Sequence, residues 1–195
     1  IDPEVCTWLE KNTEQFDVVI VPDFGNGFIT TKMIQKLCDH ARFLAVNTQV
    51  NSGNRGYHSI NRYPHADFVS LNGPELRIAT HNRHDSYENL AKSLIKKIGA
   101  KHFAVTLGSA GALLLDQSPE AIHKTPILST KVLDRVGAGD TFLSLAGLCL
   151  GGGVSSKIAL FVGSAAAALD VQMVCNREPV TPINLYKYIN TLLKS

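Results

Sequence analysis

Residues 134–142 read Asp134-Arg-Val-Gly-Ala-Gly-Asp-Thr-Phe142, and they are the most informative segment of the chain. Gly137 and Gly139 let the backbone turn tightly and come close to a ligand. An apolar, helix-like segment follows, so Ala138, Gly139 and Asp140 are predicted to lie at a helix N-terminus. The free N–H groups and the positive dipole end of such a helix face an anion. The segment therefore predicts an anion site.

Asp140 has two interpretations at that position. It is a helix-capping residue, or it is a base beside the anion site that takes a proton from an attacking hydroxyl during phosphoryl transfer. The turn of three small residues directly before Asp140 favours the base.

Strands and helices alternate along the rest of the chain. The predicted strands are 17–22, 43–47, 67–72, 102–107 and 112–116, the last two joined by a hairpin-like turn over 108–111. One helix is predicted to begin at residue 2, a second at residue 30 or 31, and a third covers 86–98. Three further helices are predicted after Gly137, and they end near residues 150, 170 and 193. Repeated strand–helix units with buried apolar strands predict a single α/β domain over 1–195, with a mainly parallel central sheet between helices. Ligands of such folds bind at the carboxyl ends of the strands.

Composition excludes several classes of protein. The 195 residues include 19 Lys+Arg and 17 Asp+Glu, a formal net charge of +2, with no run of basic residues. This balance argues against a nucleic-acid partner. No stretch approaches the roughly 18 consecutive apolar residues of a membrane span. Four widely spaced cysteines fit neither a zinc site nor a disulfide scaffold, and they predict reduced thiols in a cytoplasmic protein.

Three further segments agree with the glycine turn in order and spacing. They are Asn72-x-x-Glu75, Thr106-x-Gly108-x-x-Gly111, and the run Ala165–Ala168 followed by Pro179. Together with Gly-Ala-Gly-Asp-Thr-Phe they resemble the motifs of the PfkB/ribokinase family of carbohydrate kinases. The resemblance implies a three-layer α/β/α ribokinase-like fold, and it covers only the later part of the usual family length, so that an N-terminal part and a lid are expected to be missing.

The resemblance also implies roles for individual residues. Asp140 would be the catalytic base, and the amides of Gly137, Ala138 and Gly139 would form the anion hole. The phosphates and ribose of ATP would lie close to Thr106, Gly108 and Gly111. Asn72 and Glu75 would hold the shell of a Mg²⁺ ion, which suits an amide and a carboxylate and keeps most of its waters. The Ala165–Ala168 run and Pro179 would flank the adenine.

The chain departs from the family pattern at several positions. Arg135 stands where the family usually has Thr, and it either clamps a phosphate of ATP or pairs with a surface carboxylate. Residues 22–27 resemble a Ser-Asp-Tyr-x-Lys-Gly stretch of the heptose-phosphate kinase branch, with Asn26 replacing the Lys. Residues 47–49 read Asn-Thr-Gln in place of Asp-Pro-Lys. Asp23, Asn47 and Gln49 are therefore predicted to contact the substrate, with two cations fewer than that branch offers to a phosphate.

The polar segment 47–67 has two interpretations. Its amides and arginines form a surface for sugar hydroxyls or phosphate, or it is a solvated loop. Similar Asn-Thr-Gln loops occur in PfkB-like domains fused to nucleotidyltransferases, so fusion to or pairing with such a domain is expected, and a homodimer is compatible with the resemblance.

These observations predict an ATP- and Mg²⁺-dependent kinase that phosphorylates a hydroxyl of a sugar or sugar phosphate. Two alternatives remain open at the level of the sequence. One is a non-catalytic nucleotide-binding or regulatory domain on a kinase scaffold. The other is a kinase of the same family that acts on a nucleoside or a vitamin alcohol.

Overall fold

A six-stranded sheet forms the centre of the computed structural model, which describes residues 2–174 and 177–194. The strands are β1 (Val19–Asp23), β2 (Leu44–Thr48), β3 (Phe68–Asn72), β4 (His102–Thr106), β5 (Ala112–Gln117) and β6 (Glu120–Thr125), and they are adjacent in this order. β1 to β4 are parallel, whereas β5 and β6 are antiparallel. The predicted α/β fold with a mainly parallel sheet is therefore confirmed.

Seven helices cover the sheet in the described part of the chain. They are α1 (Asp2–Asn12), α2 (Thr31–His40), α3 (Gly73–Thr80), α4 (Tyr87–Ile98), α5 (Ala138–Gly151), α6 (Ser156–Asp170) and α7 (Pro182–Leu192), with short 3₁₀ turns at Thr13–Gln15, Ile60–Arg62 and Gly108–Ala110. Buried side chains of α2, α3 and α4 pack on one face of the sheet. Those of α5 and α6 pack on the other face, and α7 packs against α6.

Two elements were missed by the sequence patterns. β6 reads Glu-Ala-Ile-His-Lys-Thr and has no fully buried residue, because it is the edge strand of the sheet and needs no continuous apolar run. α3 has only eight residues and begins with Gly-Pro, which is typical of a turn as well as of a helix start. The helix expected to begin at residue 30 or 31 is α2, and its N-cap is Thr30, whose hydroxyl accepts a hydrogen bond from the backbone N–H of Met33 at 3.3 Å.

Side chains alternate between the two faces of the sheet with the two-residue period of a strand. In β2, Leu44 and Val46 belong to the core beside α2, α3 and α4, whereas Ala45 lies against α5. The same period continues past the end of β2. It directs Asn47 and Gln49 toward α5 and leaves Thr48 on the opposite face.

The cysteines and the helix lengths bear on two further expectations, reduced thiols and the absence of a membrane span. Cys6, Cys38 and Cys149 are free thiols, and Cys175 lies outside the described residues. In the ranges 2–174 and 177–194, every helix is too short or too polar to span a bilayer.

Glycine permits the close approach of α5 and α6. A Cβ atom built on Gly163 of α6 would lie 3.0 Å from Cβ of Ala146 and 3.2 Å from the ring of Phe142, both in α5. Because all three residues are buried, a larger side chain has no room without a shift of one helix.

We expect Gly163→Val to lower the free energy of unfolding by about 1–3 kcal/mol through overpacking of the α5–α6 interface. Valine has the higher helix propensity, so a loss cannot come from the helix itself. Urea unfolding checks the prediction, with Lys157→Val at an exposed position of α6 as the control. Equal midpoints for the two variants would contradict the packing argument.

Candidate active site

The N-terminus of α5 carries the glycine turn. Gly137 is the N-cap with a φ of 90°, a left-handed conformation that favours glycine, and its carbonyl accepts the first helical bond from Thr141. A Cβ atom built on Gly139 would meet no atom within 4 Å, so the space in front of this residue is open. The first N–H groups of α5 have no acceptor within the helix. The structure thus has the open helix terminus that the sequence predicts.

Asp140 lies in the first turn of α5 and is partly buried. Its Oδ1 accepts a hydrogen bond from Nε2 of Gln49 at 2.8 Å. Burial raises the pKa of Asp140, the bond from Gln49 opposes this rise, and the negative charge of Asp170 adds to it. A carboxylate with a raised pKa at an open anion site has the properties of a general base.

Asn72 and Glu75 form a reciprocal cap on α3. Oδ1 of Asn72 accepts from the backbone N–H of Glu75 at 2.9 Å, and Oε2 of Glu75 accepts from that of Asn72 at 2.8 Å. The Glu75 side chain is only 5% exposed, and its Oε1 accepts from the N–H of Val50 at 3.4 Å. Burial raises the pKa of Glu75, and the negative charge of Asp140 adds to this rise.

The negative charge of Asp140 raises the free energy of a charged Glu75, and a divalent cation held in the water shell of Asn72 and Glu75 would offset this repulsion. Among residues 2–174 and 177–194, no three His, Cys, Asp or Glu side chains are grouped to hold a metal. The donors therefore fit Mg²⁺ that keeps most of its waters and shares phosphate oxygens, rather than a cage made of protein ligands.

The residues predicted to approach ATP differ in their surroundings. Thr106 ends β4 directly beside Asn72 of β3. Gly108 has a φ of 58° and open space at its Cβ position, whereas a Cβ on Gly111 would overlap the carbonyl oxygen of Thr125. Gly111 is thus already required by the packing of β6. Arg135 is exposed and makes no salt bridge with a carboxylate within the described ranges, and its contact with a phosphate of ATP stays a prediction.

Asp23 lies on the other face of the sheet from Asp140. It is 2% exposed, and its Oδ2 accepts hydrogen bonds from Arg62 at 3.1 Å and from the Tyr63 hydroxyl at 3.0 Å. Its Oδ1 accepts from the N–H of Gly25. These contacts give Asp23 a structural task beneath the following loop, and its contact with a substrate stays a prediction.

The polar segment is not simply a solvated loop. Asn54 and His58 are buried, and Nδ2 of Asn54 donates to the carbonyls of Phe24 at 3.1 Å and Gln49 at 3.1 Å. Nε2 of His58 lies 3.1 Å from the carbonyl oxygen of Asp23. These bonds bury part of the segment and fix it against the end of β1, so that only its outer residues are solvated.

Asn47, in β2, and Asp170, at the end of α6, are buried polar residues with an unpartnered oxygen in the described part of the chain. Asn47 donates to the carbonyl of Ser70 at 3.2 Å, but its Oδ1 is buried without a partner in the described part of the chain. Asp170 ends α6, is 5% exposed, and has an unpartnered Oδ2 within the same ranges. Sequence reasoning missed Asp170, although a single charge at the end of an alanine-rich helix was a usable signal.

A cavity of about 210 Å³ lies beside the end of α6. It is lined by Leu169, Gln172, Met173, Pro179, Val180 and Asn184. It therefore adjoins the segments predicted to flank the adenine, and its apolar lining residues suit a flat aromatic ring.

A family model matches most of the chain. Residues 56–181 match the family model of the pfkB family carbohydrate kinases. The chain belongs to this family. The matched region contains the Asn72–Glu75 cap, the turn after β4 and the glycine turn before Asp140. Three predicted substrate contacts lie outside the matched region, namely Asp23, Asn47 and Gln49. The family match therefore gives no support for their roles.

Several proteins with similar sequences carry the same name, which describes them as bifunctional. Bifunctional protein HldE of Nitrobacter winogradskyi is 32% identical over 158 residues, covering 80% of this chain and 32% of that protein. Bifunctional protein HldE of Aliarcobacter butzleri is 26% identical over 195 residues, covering 98% of this chain and 40% of that protein. The chain thus spans between a third and two fifths of the length of these relatives.

Solved structures with the same fold are also sugar kinases. Phosphofructokinase-2 of Escherichia coli in complex with potassium superposes with a TM-score of 0.78 at 17% identity, covering 97% of this chain and 62% of that one. Ribokinase of Arabidopsis thaliana complexed with ribose and ATP gives a TM-score of 0.70 at 22% identity, covering 92% and 58%. These likenesses confirm the ribokinase-like fold.

We expect Asp23→Ala to lower the free energy of unfolding by about 3 kcal/mol, because it leaves the buried Tyr63 hydroxyl without its acceptor and removes the carboxylate that pairs with the Arg62 guanidinium. Chemical denaturation measures the loss. The control is Asp17→Ala, which removes the partner of Arg42 from an exposed pair and should change little. A stable Asp23→Ala variant with weakened sugar binding would instead give Asp23 the substrate role.

Proposed function

We propose that this pfkB-family kinase transfers the γ-phosphoryl group of ATP to a hydroxyl group of a sugar or sugar phosphate, with Asp140 as the base. The observation that carries the proposal is the position of the Asp140 carboxylate beside the open N-terminus of α5. This arrangement puts a proton acceptor next to an anion site, and phosphoryl transfer needs both.

The proposed reaction divides the work between backbone and side chains. The N–H groups at Gly137, Ala138 and Gly139 stabilise the charge of the transferring group. Asp140 accepts the proton of the sugar hydroxyl as its oxygen attacks the γ-phosphorus in line, and ADP leaves. The cavity beside α6 would take the adenine, and Thr106 and Gly108 would lie along the phosphates and ribose.

Asn72 and Glu75 would hold the water shell of Mg²⁺. When bound, this ion neutralises charge on the β- and γ-phosphates. The buried cap fixes both side chains at the start of α3, where they would orient the waters around the ion.

A sugar phosphate is the acceptor class that the sequence relatives support, because the chain resembles the heptose-phosphate kinase branch and the proteins named HldE. Fusion to or pairing with a nucleotidyltransferase domain, a homodimer and a cytoplasmic location are parts of the same proposal. One observation favours a non-catalytic nucleotide-binding domain instead. Arg62, a cation of the polar segment, is bound to Asp23 and to the carbonyl of Ile29, which leaves fewer cations for a substrate phosphate.

Two substitutions separate the base from the anion hole. Asp140→Asn should keep ATP affinity but lower turnover about 10²- to 10⁴-fold, the usual contribution of a general base. Gly139→Val should abolish ATP binding, since its side chain would fill the open space without disturbing the fold. Calorimetry with MgATP, and ADP release with a panel of sugars and hexose and heptose phosphates, measure both effects in the complete gene product.

Full turnover by Asp140→Asn would exclude Asp140 as the base. Nucleotide binding without ADP release by the wild type, over the whole panel, would favour the non-catalytic domain. Unfolding midpoints equal to that of the wild type are required of both variants.

A further inference from the structure

Gln49 is the side chain that contacts the carboxylate of Asp140. The two residues are 91 positions apart in the sequence, and Nε2 of Gln49 lies 2.8 Å from Oδ1 of Asp140. The contact forms because Gln49 follows the end of β2, on the face of the sheet that carries α5. It is a bond between a neutral amide donor and a carboxylate, which is stronger than one between neutral groups.

Three hydrogen bonds fix the backbone that carries Gln49. Its own N–H donates to the carbonyl of Asp23 at 2.9 Å, and its carbonyl accepts from Nδ2 of Asn54 at 3.1 Å. The N–H of the next residue, Val50, donates to Glu75 at 3.4 Å. Gln49 is therefore anchored to the end of β1, to the polar segment and to the cap of α3.

The bond from Gln49 makes the two oxygens of Asp140 unequal. Oδ1 is occupied, whereas no donor within residues 2–174 and 177–194 bonds to Oδ2. A substrate hydroxyl can donate its proton only to a free lone pair at hydrogen-bond distance. With Oδ1 occupied by the amide of Gln49, Oδ2 is the oxygen left to accept a proton.

We propose that Gln49 is a positioning residue for Asp140: it holds Oδ1, so that Oδ2 accepts the proton of the substrate hydroxyl. This inference rests on the proposed function, and it differs from the expectation that Gln49 binds the substrate. A positioning residue acts on kcat, whereas a substrate contact acts first on KM for the sugar.

The charged groups that face Asp140 set the sign of a pH effect. Asp170, at the end of α6, raises the pKa of Asp140, and the charge of Asp140 in turn raises the pKa of Glu75 in α3. The bond from Gln49 acts in the opposite direction, because it stabilises the charged form. The base works when deprotonated, so activity falls on the acid side as Asp140 takes up a proton; this fall is the acid limb of the pH profile. Loss of the bond from Gln49 raises the pKa of Asp140 and moves the acid limb to higher pH. A cation at position 49 lowers the pKa and moves the acid limb to lower pH.

The test compares Gln49→Leu and Gln49→Lys with the wild type in the complete gene product, using MgATP and the sugar phosphate that the panel identifies. Gln49→Leu should lower kcat about tenfold to a hundredfold, the range for a hydrogen bond to a charged group, with ATP affinity unchanged. The acid limb of kcat/KM should move to higher pH in Gln49→Leu and to lower pH in Gln49→Lys. A structural defect alone would not give opposite directions.

Gln35→Leu is the matched control. Gln35 of α2 makes the same kind of bond, from Nε2 to Oδ1 of Asp39 at 2.8 Å, on the exposed surface. It should leave kcat and the acid limb as in the wild type. A rise in KM for the sugar with kcat unchanged in Gln49→Leu, or acid limbs that coincide in all variants, would overturn the proposal.

A measurement without turnover separates this inference from the proposed function. The carboxyl carbon signal of Asp140 in ¹³C NMR is assigned by its loss in Asp140→Asn and then titrated in the wild type and in Gln49→Leu. We expect a higher pKa in Gln49→Leu even if no acceptor sugar is found. Identical titrations in a folded variant would refute the role of Gln49, whereas a shifted titration without any kinase activity would refute only the proposed function.

Discussion

The close packing of α5 on the sheet determines where the candidate site lies. Near the C-terminal end of α5, a Cβ atom on Gly147 would be 3.2 Å from Cβ of Ala45, and one on Gly151 would overlap Val18. The helix therefore rests almost directly on β1 and β2, and its position along the sheet is fixed. Its N-terminus then lies above the carboxyl end of β2, where Gln49 meets Asp140.

Strand alternation divides the polar residues at that end of the sheet into two groups. Asp23 faces the layer of α2, α3 and α4 and holds the polar segment through Arg62 and Tyr63. Asn47 and Gln49 face α5 and the candidate site. Residues that are close at the sheet edge thus have different roles: Asp23 stabilises the segment, and Gln49 donates a hydrogen bond to Asp140.

Local patterns predicted much of this fold, because buried parallel strands and the glycine turn have strong signatures. The strands from β1 to β5 and the helix that begins at the turn follow from local patterns alone. Asn72 and Glu75 came from the family resemblance, as residues around a metal ion, and their cap on α3 was not predicted. The task of Asp23 did not follow, since it depends on a segment nearly 40 residues later in the chain. Nor did the bond between Gln49 and Asp140, because it depends on the packing of a helix on a strand.

Like charge at the site limits how a nucleotide can bind. Asp140, Glu75 and Asp170 are carboxyl groups with raised pKa values, and each of the first two responds to a neighbouring carboxylate. A phosphate arriving alone would add further negative charge, which the N–H groups of α5 offset only in part. A phosphate arriving with its divalent cation reverses the local sign. Under the proposed function, the acidic surroundings of Asp140 would favour nucleotide bound together with Mg²⁺. The bond from Gln49 stabilises the charged form of Asp140, which is the form that a base requires.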